Sequence, residues 1–290
     1  MKIVVLGAGG QLGHVISDRA SARGHSVTAW TRHEADITQP EALSKALADA
    51  RPEVVFNCAA FARVDEAEDA PSAAMAANAW ALRDLARQSR ALSFTLVHYS
   101  TDFVFDGGGT EPHQETAPTN PRGVYATSKL IGEWFAAESA AHYILRVESL
   151  FGGLSQKSSV DALLDNLLAG RDVRAFADRT VSPSYVVDVA DASLELVERG
   201  AAFGLYHCVN TGHTTWLDLA RTLARLAWRP SSIVVPVNMA GLTMRVPRPL
   251  NAAMSNAKLR SAGVDMPSWR DAIERYVASR RTGAGAGSSV

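Results

Sequence analysis

Tyr125 and Lys129 stand four residues apart in the stretch Tyr125-Ala126-Thr127-Ser128-Lys129. On a helix that spacing puts both side chains on one face, so a phenol and an ammonium can reach the same cleft. An ammonium near a phenol lowers its pKa from about 10 towards neutrality, which equips Tyr125 to pass a proton while a carbonyl and an alcohol interconvert. The same spacing arises by chance on any amphipathic helix, so the pair gains meaning from what the rest of the chain sets beside it.

A second group of residues suits a cofactor for that chemistry. The apolar run Lys2 to Leu6 leads into Gly7-Ala8-Gly9-Gly10-Gln11-Leu12-Gly13 and then into a helical pattern through Val15, Ile16 and Ala20. In a strand, glycine turn and helix, the glycines let the backbone turn sharply near a pyrophosphate, and the helix N-terminus offers unpaired N–H groups. Ser26 to Trp30 reads as the second strand, and Thr31-Arg32 follows it. An acidic side chain there would hold the ribose 2′-hydroxyl of NAD and repel the extra phosphate of NADP. Arg32 in its place predicts NADPH, with NADH as the alternative.

The elements that must position these groups alternate in type. Val54-Val55-Phe56 reads as a third strand ending in Asn57-Cys58-Ala59-Ala60, small residues that let a cofactor lie close, and Pro71 opens a long helix through Met75, Leu82 and Leu85. Phe94 to Tyr99 reads as a fourth strand, stopping at Ser100-Thr101-Asp102-Phe103, and Tyr143-Ile144-Leu145 as a fifth. This rhythm predicts an α/β fold: a doubly wound parallel sheet of the Rossmann kind, with ligands at the carboxyl ends of its strands. Residues 1–150 are expected to form the dinucleotide-binding domain. Beyond Gly152-Gly153 the rhythm changes, and residues 151–281 read mainly as a smaller C-terminal substrate lobe, with Val186 to Val197 and Tyr206 to Val209 as stretches that can return to the main sheet. Residues 282–290, small and Gly-rich, read as a flexible tail.

Composition narrows the partners. The 290 residues are 47% hydrophobic, and 29 Lys and Arg nearly cancel 30 Asp and Glu, so nucleic acid and acidic membranes are not expected and a small molecule is. The run Ile3 to Leu6 is too short for a signal or membrane segment. Cys58 and Cys208 lack metal-ligand spacing and read as buried free thiols of a reducing, cytoplasmic setting. No histidine shows metal-ligand spacing, so no metal is expected. His98 reads as a core imidazole, and Trp216 and Trp269 as lobe core.

Taken together, the motifs resemble those of the extended short-chain dehydrogenases, and within them the dTDP-4-dehydrorhamnose reductase family. The resemblance is carried by Gly7 to Gly13, by Asn57-Cys58-Ala59-Ala60-Phe61-Ala62-Arg63-Val64-Asp65, by Tyr99-Ser100-Thr101-Asp102-Phe103-Val104-Phe105-Asp106-Gly107 and by Tyr125 to Lys129. Further on it rests on Asp178 to Ser184 with Asp188, and on Arg248-Pro249-Leu250-Asn251 with Lys258-Leu259. The resemblance implies reduction by NAD(P)H of the 4-keto group of a nucleotide-activated 6-deoxyhexose. Tyr125 would donate the proton, Lys129 would lower its pKa and hold the nicotinamide ribose, and Thr101 would hydrogen-bond the carbonyl oxygen.

It further implies cofactor contacts from Gly7, Gly10, Gln11, Leu12, Gly13, Arg32, Ala59, Ala60 and Phe61, with Asp36-Ile37 bracketing the adenine. Substrate contacts would come from Val64, Thr101, Asp102, Phe103, Ser149 and Arg248, the last holding a diphosphate. Two departures stand out: Ser149 falls where the family usually has a tryptophan, and Ala62 where it has a threonine. The resemblance suggests a homodimer. Its alternatives are a reductase or epimerase of another sugar nucleotide and a non-catalytic NADP-binding regulatory subunit. No acid or base besides Tyr125 stands out in the sequence, which favours a plain reductase over an epimerase.

Overall fold

The protein is described by a computed structural model covering residues 1–153 and 158–285. Its first half alternates β1 (Lys2–Leu6), α1 (Gln11–Ala22), β2 (Ser26–Trp30), α2 (Pro40–Ala50), β3 (Val54–Asn57), α3 (Pro71–Met75), α4 (Ala81–Leu92), β4 (Thr95–Thr101), α5 (Val124–Ala136) and β5 (His142–Val147). β1, β3, β4 and β5 are largely buried and apolar, as a sheet covered on both faces requires, while β2 (Ser-Val-Thr-Ala-Trp) at the sheet edge is mostly exposed. β4 extends two residues past its apolar run because Ser100 and Thr101 still pair with Arg146 and Val147 of β5. The expected long helix from Pro71 is broken by a π turn over Ala76–Trp80. At that turn α5 passes so close that a Cβ on Gly132 would lie 2.1 Å from the Asn78 carbonyl oxygen.

The second half is less regular: β6 (Leu150–Phe151), α6 (Ser159–Leu168), β7 (Val173–Phe176), β8 (Thr180–Val181), β9 (Ser184–Tyr185), α7 (Val186–Glu198), β10 (Gly204–His207), β11 (Thr214–Thr215), α8 (Trp216–Leu226), β12 (Val234–Val237), α9 (Ala257–Ser261) and α10 (Trp269–Gly285). The six-stranded sheet runs in the order β10-β5-β4-β3-β1-β2, with every pairing parallel. A doubly wound parallel sheet is therefore what forms, and β10 returns to it from the second half. α7 covers the same face as α1, its Val186, Val189 and Ala190 packed with Val15 and Ile16. Trp216 and Trp269 lie in a separate core with α6 and β7.

α10 continues to Gly285, past Thr282 where the tail was expected to begin. Ala272, Ile273, Tyr276 and Val277 bury one helical face in the lobe core and carry the helix onward. Residues 286–290 of that expected tail lie outside the described residues. Cys208 is buried, Cys58 half-buried, and both thiols are free. Among the described residues no helix is long and apolar enough to cross a membrane.

Candidate active site

The glycine loop is built by close packing. Gly7 has a φ of +76°, and a Cβ on it would lie 2.7 Å from the Ala59 backbone nitrogen; one on Gly13 would lie 2.4 Å from the Gly7 carbonyl oxygen. These two glycines are needed for the chain to meet itself. Gly10 caps α1 with extended backbone and no side-chain hydrogen bond among the described residues. The first N–H groups of α1 are thus free for an anion. Gln11 donates to the Gly152 carbonyl at 2.6 Å, tying the loop to the far side of the sheet, while Leu12 is buried in the core.

A cavity of about 840 Å³ opens over this loop, lined by Gly7, Gly9, Gly10, Arg32, Asp36, Ile37 and the wall Cys58 to Arg63. Its size and anion-ready floor fit a dinucleotide. Arg32 stands at its mouth with its side chain 86% exposed, paired with Asp36 at 3.0 Å. Asp36 also accepts from the backbone N–H and hydroxyl of Thr38, at 2.9 and 2.7 Å, so its carboxylate has a turn-forming role. Ile37 is buried below it. Ala59 and Ala60 form the wall, and Phe61 is clamped at both backbone groups by Asn78 from the π turn.

At the carboxyl end of the sheet three polar groups gather. Thr101, the last residue of β4, lies against the phenol of Tyr125 in the first turn of α5. Burial pushes that phenol up to about 12, the Thr101 hydroxyl opposes the rise, and the charge of Asp102 adds to it. Lys129 is 3% exposed; its Nζ donates to the Tyr99 carbonyl oxygen at 2.5 Å and lies 3.3 Å from His98 Nε2. Burial brings the Lys129 ammonium down to about 8, against the pull of Glu133 and Cys58. Here the structure departs from the sequence reading: the lysine is not among the groups that shift the phenol. It bonds the strand carbonyl in its reach instead. Cys58, whose thiol interacts with the Lys129 charge, lines the glycine-loop cavity, so Lys129 lies behind one wall of it; Thr101 and Tyr125 are not among its lining residues.

Beyond them lie the other residues expected to meet a substrate. Phe103 meets the Tyr125 ring edge-on at 5.7 Å, and the Arg248 guanidinium sits over Phe103 at 5.6 Å while pairing with Asp65 at 2.7 Å. Val64 is half-buried in the adjoining turn. Ser149, at a φ of +44°, donates to Glu148 at 3.2 Å.

Sequence reasoning missed Glu148, and with it a pair of buried carboxyls. Asp102 and Glu148 are 3% and 2% exposed, and they leave β4 and β5 side by side, since Thr101 and Val147 are in register. Asp102 accepts from Thr101 at 3.0 Å, and its second oxygen is buried without a partner among the described residues. Glu148 accepts from the Ser182 backbone N–H. Burial pushes Asp102 up to about 6, with Arg179 drawing it down; burial and the Asp102 charge push Glu148 well above the carboxylate range. No acid or base besides Tyr125 stands out in the sequence; the structure adds these two buried carboxyls near it. Two carboxylic residues each one place past paired strands were the available signal.

A doubly wound parallel sheet with a glycine loop after its first strand and a Tyr-x-x-x-Lys helix beside its fourth defines the extended short-chain dehydrogenase/reductase class of nucleotide-dependent oxidoreductases. Within that class the chain belongs to the family described as RmlD substrate binding domain, which matches residues 1–282. It is 37% identical over 281 residues to a dTDP-4-dehydrorhamnose reductase of Streptomyces griseus, covering 93% of this chain and 91% of that one. A Mycobacterium tuberculosis protein of the same name is 35% identical over 285 residues, covering 96% and 93%. Among solved structures, the Bacillus anthracis dTDP-4-dehydrorhamnose reductase in complex with NADP superposes with a TM-score of 0.90 at 28% identity, covering 96% of this chain and all of that one. Among the described residues no group of His, Cys, Asp and Glu could hold a metal ion.

Proposed function

We propose that this protein uses NADPH to reduce the 4-keto group of a nucleotide-activated 6-deoxyhexose, converting dTDP-4-dehydro-L-rhamnose to dTDP-L-rhamnose. The observation that carries this reading is the meeting of the Thr101 hydroxyl and the Tyr125 phenol at the carboxyl end of the parallel sheet, the end from which the glycine loop also leaves. The relatives named above act on that substrate, and one solved relative holds NADP.

The reduced nicotinamide supplies the hydride when bound. Tyr125, kept protonated by burial, donates its proton to the oxygen on which charge develops, and Thr101 donates a hydrogen bond to the same oxygen. Lys129 holds the cofactor's ribose side and exchanges protons close to pH 8. Gly10 and the first turn of α1 receive the pyrophosphate, Arg32 the 2′-phosphate, and Ala59, Ala60 and Phe61 flank the cofactor. Val64, Asp102, Phe103 and Ser149 shape the sugar site, and Arg248 holds the diphosphate. Residues 1–150 serve the cofactor and residues 151–281 mainly the sugar nucleotide, in a cytoplasmic homodimer.

A panel of 4-keto sugar nucleotides assayed with NADPH and NADH tests this reading. Oxidation of NADPH by dTDP-4-dehydrorhamnose is the expected result, and absence of turnover on every member would overturn it. A second reading, epimerisation beside the ketone, is favoured by the Asp102 oxygen near Tyr125 that has no partner among the described residues. Product stereochemistry separates the two.

A further inference from the structure

A lysine is ordinarily charged well above neutral pH, yet the hydrogen bonds around Lys129 fit a different state. The Ala59 backbone N–H donates to Asn57 Oδ1 at 3.2 Å. A backbone N–H can only donate, so the oxygen of the Asn57 carboxamide must face it and the nitrogen must face the other way. That nitrogen lies 3.3 Å from Nδ1 of His98. A carboxamide nitrogen also only donates, so Nδ1 must be a bare acceptor.

His98 is fully buried. Burial keeps its imidazole neutral. A neutral ring with a bare Nδ1 carries its hydrogen on Nε2, and Nε2 lies 3.3 Å from Lys129 Nζ. An Nε2–H can be received there only by the lone pair of an amine. The amine still donates to the Tyr99 carbonyl. Every donor and acceptor in the row Ala59, Asn57, His98, Lys129, Tyr99 is matched when the lysine is neutral. An ammonium sets two donors face to face somewhere along it, at a cost set by the buried surroundings.

We propose that His98 is a positioning residue: Asn57 locks it in the tautomer with hydrogen on Nε2, and that hydrogen bond holds Lys129 poised to take up and release a proton. The other groups facing Lys129 are the Cys58 thiol at the end of β3 and Glu133 one turn further along α5. The Glu133 carboxylate already receives Arg146 at 2.7 and 2.8 Å and Ser100 at 2.5 Å. The catalytic consequence rests on the reductase reading: Tyr125 stays protonated and ready to give, while the lysine beside it is the group that titrates.

The test is nuclear magnetic resonance of the full chain labelled with ¹⁵N-histidine and ¹³C-lysine, His98 and Lys129 being assigned from the spectra of His98→Gln and Lys129→Met. At pH 9 the His98 ring is expected as the Nε2–H tautomer. Asn57→Asp offers carboxylate oxygens to both the Ala59 N–H and an Nδ1–H, so it should move the ring to the Nδ1–H tautomer and raise the proton affinity of Lys129 at least tenfold. An Nδ1–H tautomer in the unaltered protein at pH 9 overturns the proposal, and so does a folded Asn57→Asp variant with ring and lysine unchanged. The unaltered chain suffices if that variant fails to fold. These spectra need no substrate, so their failure leaves the reductase reading standing, and inactivity on the sugar panel leaves the tautomer result intact.

Discussion

Lys129 Nζ donates to the carbonyl oxygen of Tyr99 at 2.5 Å, and Tyr99 precedes Thr101 by two residues on β4. The lysine therefore stitches α5 to β4 where the phenol and the hydroxyl meet. Lys129→Met leaves that carbonyl buried without its donor, which costs about 1–3 kcal/mol. It also removes the titrating amine behind the cofactor cavity's wall. Urea denaturation should show that loss of stability and steady-state assays a fall in turnover of at least about 100-fold. A variant with full activity would separate Lys129 from the chemistry.

Tyr125→Phe removes only an oxygen. Turnover should fall by about 10²–10⁴-fold, the range for a lost general acid. The phenol makes its T-shaped contact with Phe103 through the ring, so melting temperature and NADPH affinity should stay close to those of the unaltered protein. Near-normal rates in this variant would end the assignment of Tyr125 as proton donor.

Among the described residues Arg32 is tied to the fold through its pair with Asp36, and such surface pairs contribute about 0–1 kcal/mol. Arg32→Ala should thus leave stability unchanged. A charge-assisted bond to a phosphate is worth about 1.5–3 kcal/mol, so NADPH binding should weaken roughly tenfold or more while NADH binding stays constant. Calorimetric titration with both nucleotides reads the difference; equal weakening of the two would mean that Arg32 does not meet the phosphate.

Much of the scaffold was legible from local pattern. β1 begins and ends where its apolar run does, because burial defines it, and β2 keeps the same length by pairing with it residue for residue. β4 was read short because Ser100 and Thr101 are polar, and only pairing with β5 keeps them in the strand. The π turn at Ala76–Trp80 answers to the close approach of Gly132, a contact between residues far apart in sequence. The site divides the same way. Tyr125 and Lys129 show themselves by spacing within one helix. Glu148 matters only through a neighbour on another strand, and the direction of the Lys129 ammonium depends on where the carbonyl of Tyr99 lies. Helix periodicity holds no information on either.

The buried carboxyls Asp102 and Glu148 should make stability fall as pH rises. A carboxyl whose folded pKa is raised binds its proton more tightly in the folded state, so it costs nothing while both states are protonated. The cost grows once the unfolded chain ionises near pH 4 and is complete above the folded value. For Asp102 that window runs from about 4 to about 6, and Glu148, pushed higher by burial and by Asp102, extends it upward. A shift of about two units corresponds to roughly 2–3 kcal/mol. Glu148→Gln keeps a carbonyl oxygen for the Ser182 N–H, removes one ionisation and relieves Asp102. By urea denaturation the variant should match the unaltered protein at pH 4 and exceed it by on the order of 2 kcal/mol at pH 8. A difference that is the same at both pH values would mean that the two carboxyls do not share this cost.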